Sequence, residues 1–131
     1  MGLLDSTDRK IKPSEAQMQK MEATLTEALD AGFLGLSTMC LKWDKIDGDR
    51  AWSKSLPSTY ARWSELRRLN KILRKYRRVH QGAPNAANPL QIFEYLIETL
   101  GWIRKPLKTT LIALIDLKGN KTVRPMAQIS S

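Results

Sequence analysis

Three times along this chain a helix-like apolar period gives way to a short apolar run. Met18, Met21, Leu25, Ala28 and Leu29 recur at three- and four-residue spacing, and Phe33-Leu34-Gly35-Leu36-Ser37 follows. Trp63, Leu66, Leu69, Leu73 and Tyr76 repeat the pattern ahead of Arg78-Val79-His80-Gln81. Leu90, Phe93, Leu96, Ile97 and Leu100 do so again ahead of the Thr-, Leu- and Ile-rich run from Lys108 to Ile115. Apolar residues at that spacing mark one buried face of a helix, and apolar runs too short for another helix read as buried strands. The predicted order is helix, strand, helix, strand, helix, strand. Strands separated by helices pair in parallel through right-handed crossovers. The expected fold class is therefore α/β: three consecutive α-β units forming an open parallel sheet with two bare edges.

Punctuation supports these elements. Ser14 and Gln17 have the spacing of a capping box after Pro13. Gly32 is placed to end the first helix in a left-handed conformation, and Gly101 is expected to end the third. Asn88 is expected to cap the third helix, with Pro89 in the favoured first position. Residues 39 to 58 lack a sustained period and read as a long loop containing Trp43 and Trp52, after which the second helix is expected over Thr59 to Tyr76. Gly82-Ala83-Pro84-Asn85 reads as a turn, and the stretch after Gly119 as a loose tail.

With 131 residues the chain suffices for one domain, whereas a complete (β/α)₈ barrel needs about 250. No apolar run approaches the roughly 18 residues of a membrane span, and residues 1 to 8 lack the basic start and apolar core of a signal peptide. One cysteine, Cys40, excludes an internal disulfide framework and fits a reducing compartment, so a cytoplasmic location is expected.

A local sequence adds to this order of elements. Glu27-Ala28-Leu29-Asp30-Ala31-Gly32-Phe33-Leu34-Gly35-Leu36-Ser37-Thr38 resembles the helix-to-strand segment of the amidohydrolase family that includes N-acyl-D-amino-acid deacylases. Trp43-Asp44-Lys45, Ser55-Leu56-Pro57-Ser58-Thr59-Tyr60-Ala61, Trp63-Ser64-Glu65-Leu66-Arg67, Arg78-Val79-His80-Gln81-Gly82-Ala83-Pro84-Asn85 and Lys105-Pro106-Leu107-Lys108-Thr109-Thr110 continue the resemblance in order. It covers roughly residues 9 to 118. The resemblance implies an internal piece of a TIM-like barrel, here residues 1 to 118, with 119 to 131 as the tail. It also implies amide hydrolysis by water bound to zinc or another divalent metal, which lowers the water's pKa while an aspartate moves protons. Such a site needs several imidazole and carboxylate ligands at the C-terminal ends of the strands. His80 is the only histidine, and the strand ends read Gln81-Gly82-Ala83-Pro84 and Ile115-Asp116-Leu117-Lys118. No catalytic, cofactor-binding or metal-ligating residue is therefore assigned, and the chain alone is expected to be inactive. Its expected partners are the remaining segments of a barrel, or further copies joined through the open edges.

Individual residues have ordinary readings beside the chemical ones. A lone histidine such as His80 is more often packed than ligating, since one imidazole cannot hold a catalytic metal. Cys40 follows a strand, where barrel loops gather, but most free cysteines behave as small hydrophobes. Asp44, Asp47 and Asp49 resemble part of a cation-binding loop without fitting the EF-hand spacing, and solvated loop acids are the better reading. Asp116, expected to end the third strand, is the residue most like a site residue by position, although a strand-end aspartate is more often a cap or turn residue. Trp63 reads as core. Trp43 and Trp52 could line a substrate mouth in a complete barrel, and Trp102 lies apart from the basic cluster.

Charge supplies the alternative. From Arg62 to Arg78 the sequence holds Arg62, Arg67, Arg68, Lys71, Arg74, Lys75, Arg77 and Arg78 against Glu65, or +7 of the chain's net +9. Such density suits a small basic α/β protein that binds nucleic acid or another polyanion through the 62–78 helix. The apolar stripe on the same helix and the absence of a zinc finger, RNP sequence or Gly-x-x-Gly clamp favour a solvated outer face instead.

Overall fold

The computed structural model describes residues 6–41, 46, 54–84, 88–101 and 105–112. Its elements are α1 (Glu15–Asp30), β1 (Gly35–Met39), α2 (Pro57–Tyr60), α3 (Trp63–Tyr76), β2 (Val79–Ala83), α4 (Pro89–Leu100) and β3 (Lys108–Leu111). The chain is α/β, with a parallel three-stranded sheet in the order β1-β2-β3. Residues 113–131, including the expected tail, lie outside the described residues, so β3 is followed only as far as Leu111 rather than Ile115.

α1 begins with the expected reciprocal cap: the Gln17 amide donates to Ser14 Oγ at 3.3 Å and the Ser14 amide to Gln17 Oε1 at 2.7 Å. Its far end is a Schellman closure. Gly32 takes φ +100°, its N–H bonds the Leu29 carbonyl, and the Phe33 N–H reaches back to the Ala28 carbonyl, both at 3.1 Å. That closure uses Phe33 as part of the helix stop, which corrects one boundary. Phe33 and Leu34 are exposed, and β1 starts at Gly35.

Two other boundaries differ. The expected helix from Thr59 is interrupted, because Ala61 and Arg62 are extended between α2 and α3. The expected Gly82-Ala83 turn is instead the end of β2, where Gly82 and Ala83 pair with Thr38 and Met39.

Leu25 and Leu29 of α1, Leu69 and Leu73 of α3, and Leu107 form a buried cluster, and Leu36, Ile72 and Tyr76 pack against it. Met21, expected on the same face of α1, is exposed. Arg68 ties the outer sides of these helices together, reaching Glu15 and Glu22, two turns apart on α1, at 2.7 Å each.

α4 is turned away from its expected orientation. Ile92, Tyr95 and Glu98 are buried, while Leu90, Phe93 and Leu100 are 74, 55 and 58% exposed. Asn88 precedes Pro89 as expected but makes no side-chain cap.

Side chains alternate across the sheet. Leu36, in register with His80, packs against the α1–α3 cluster, and His80 stacks near Tyr95 of α4. Helices α1, α3 and α4 thus cover the same sheet face. On the other face Ser37, Gln81 and Thr110 stand side by side in register and exposed, with Ser37 Oγ donating to Gln81 Oε1 at 3.1 Å.

Candidate functional site

Two polar constellations result from this packing. The first is buried between the sheet and α4. Thr38 Oγ1 lies 2.8 Å from His80 Nε2 and 3.0 Å from the Tyr95 hydroxyl, and Cys40 Sγ lies 3.9 Å from the same hydroxyl. Gly82 makes the arrangement possible: a Cβ there would stand 2.5 Å from the Tyr95 ring. Trp63 closes one side, edge-on to Tyr95 with centroids 4.9 Å apart.

Burial decides what these groups can do. His80 is fully buried, its Nδ1 has no hydrogen-bond partner among the described residues, and burial pushes its pKa down to about 4. The Cys40 thiol is held protonated, because burial raises its pKa above the ordinary thiol value, and a thiol without thiolate character is a poor nucleophile. The sulfur donates weakly toward the Ser58 carbonyl at 3.8 Å. His80 and Cys40 are therefore core groups that join β1, β2 and α4.

Burial of His80 makes the stability of the fold depend on pH. An unfolded imidazole titrates near 6.5 and the folded one near 4. Between those values the unfolded chain binds a proton that the folded chain does not, so stability falls as pH drops through this window. The full shift corresponds to at most about 3 kcal/mol. Urea midpoints at pH 7 and pH 4.5 should show the loss in the natural chain and much less of it in His80→Gln. Equal losses in both would assign the acid sensitivity to other groups.

A divalent metal does not fit the described residues. No three of their His, Cys, Asp and Glu side chains come together as ligands would, and His80 faces Thr38 inside the core. Asp44, Asp47, Asp49, Asp116, Trp43, Trp52 and Trp102 lie outside the described residues.

The second constellation is the basic helix. Its arginines are largely engaged: Arg68 with Glu15 and Glu22, Arg67 with Glu98 at 3.5 Å, and Arg74 with Glu98 and, at 2.7 Å, the Lys105 carbonyl. What remains is a groove of about 970 Å³ between α3 and the segment leading into β3, lined by Lys71, Lys75, Arg77, Arg78, Lys105 and Lys108 among others.

Sequence reasoning missed Thr38, Tyr95 and Glu98. The repeat Ile92, Tyr95, Thr99 was a signal for the buried face of α4, but Leu90, Phe93 and Leu100 made a more apolar stripe.

Among the described residues the architecture is α/β, with α1, α3 and α4 on one face of a three-stranded parallel sheet. Proteins of two Mycobacterium tuberculosis strains and of Mycobacterium bovis, each named only as an uncharacterized protein, are 39% identical to the chain over 120 residues. The match covers 90% of this chain and 20% of each relative, so the chain spans about a fifth of the length of the curated relatives it matches. No protein-family model and no solved structure matches it. Among the described residues no helix is long and apolar enough to cross a membrane.

Proposed function

We propose that this chain is one sector of a larger barrel of the metal-dependent amidohydrolase type, supplying three strands and their outer helices but not the metal ligands. One observation carries the reading: β1, β2 and β3 follow one another in sequence order, with α1, α3 and α4 on a single face. A barrel winds singly and keeps its helices outside, an arrangement that these three units fit. The uncovered row Ser37, Gln81 and Thr110 then corresponds to the barrel interior. Parallel sheets are ordinarily covered on both faces, so the row Ser37, Gln81 and Thr110, exposed among the described residues, calls for further chain over it. The much greater length of the mycobacterial relatives supports that need, and the amide-hydrolysing chemistry rests on the sequence resemblance.

The test is an exchange. The M. tuberculosis relative would be made with this chain in place of its own 120 matching residues, and its bound zinc and its hydrolysis of N-acetyl-D-amino acids measured beside the parent. Parent and exchange protein should both retain metal and hydrolyse the amide. A parent that binds no divalent metal and cleaves no N-acyl amino acid would overturn the hydrolase reading.

A further inference from the structure

The basic groove lies at the other end of the sheet from the strand ends where a barrel collects its chemistry. Arg77 and Arg78 immediately precede β2, and Lys105 and Lys108 lead into and begin β3. A ligand held there would not depend on amide hydrolysis at the strand ends.

Pairing divides the cations here into two sets. Arg67, Arg68 and Arg74 have carboxylate partners. Lys71, Lys75, Arg77, Arg78, Lys105 and Lys108 have no carboxylate oxygen within 4.0 Å among the described residues. Nor does any Asp or Glu line the groove. Six like charges on one concavity repel one another, and the repulsion is relieved only by counterions or an anionic ligand. A further observation points the same way. Arg78 Nε is buried without a hydrogen-bond partner among the described residues, and a guanidinium N–H can only donate.

We propose that this groove binds a short chain of phosphates, as carried by a small oligophosphate ligand. The cations there supply N–H donors suited to phosphate oxygens. No aromatic residue lines the groove to stack a base. Its volume of about 970 Å³ falls in the range of roughly 300–1,000 Å³ for small-ligand sites. A duplex, by contrast, is usually met by a protruding helix, ribbon or arm.

The test titrates the 131-residue chain with inorganic tripolyphosphate by calorimetry at low salt. Replacing Lys71, Lys75 and Lys105 with Gln should weaken binding by about tenfold or more, and the affinity of the natural chain should fall steeply with added salt. Replacing Lys10, Lys12 and Lys20 with Gln removes the same charge from exposed positions of the N-terminal region and α1. That variant should stay within about twofold of the natural chain if local contacts outweigh bulk charge. Equal weakening in both triple variants would reduce the effect to net charge and overturn the site. Failure to bind tripolyphosphate, alongside salt-dependent binding of a short DNA duplex, would overturn the ligand class.

Discussion

Glu98→Ala should cost about 3–5 kcal/mol of stability, the range for removing one partner of a buried ion pair. Glu98 is a carboxylate at 4% exposure on the packed face of α4, and its partner Arg74 on α3 is 10% exposed. Arg74 is held there by more than the carboxylate, donating also to the backbone carbonyls of Lys105 and Glu98. Truncating the glutamate would leave a fixed, poorly hydrated guanidinium without its counter-charge. Arg67→Ala makes the contrast. Arg67 contacts the other Glu98 oxygen from a 46% exposed position, so its loss should cost under about 1 kcal/mol. Urea denaturation of the three chains checks both statements. A Glu98→Ala chain within about 1 kcal/mol of the natural one would mean that water replaces the carboxylate easily and that the α3–α4 clamp is not dry.

Gly35→Ala should disrupt the pairing of β1 with β2. A Cβ at residue 35 would stand 1.9 Å from the Val79 carbonyl oxygen and 2.8 Å from its carbon. Those are backbone atoms at the start of β2, paired with Gly35 in register, so no side chain can rotate aside. Overpacking costs about 1–3 kcal/mol when neighbours can give, and here the strand itself must move, so a loss above about 3 kcal/mol is expected. Hydrogen exchange at the Cys40 amide, which bonds the Ala83 carbonyl across the same strand pair, reads the effect locally. Exchange there as slow as in the natural chain would show that the strands separate at one end without losing their register.

The alternation of elements was legible because each signal is local. The Ser14–Gln17 cap and the glycines at 32 and 101 act within one turn of their helices, and all three are found as expected. Orientation was less legible because it depends on residues far apart in sequence. α4 carries apolar side chains on more than one side, and the side that packs is the one whose polar groups find distant partners: Tyr95 at Thr38 and Glu98 at Arg74. A local apolar count cannot see either bond. The basic helix shows the same limit. In sequence Arg67, Arg68 and Arg74 look no different from the other cations of this stretch, yet α1 and α4 supply carboxylates to all three. The offset of β1 by two residues follows from the Schellman closure, which uses Phe33 before the strand can begin.

In a barrel wall the sheet face bearing Ser37, Gln81 and Thr110 would be an interior surface closed by further chain. Thiol labelling measures it directly. Gln81→Cys, in a Cys40→Ala background, would be introduced into the 131-residue chain and into the mycobacterial relative carrying that chain in place of its own segment. Labelling should be rapid in the short chain, where Gln81 is exposed, and strongly slowed in the long one. Equally rapid labelling in both proteins would contradict this closure, leaving this face as outer surface and the sector as something other than a wall of a barrel.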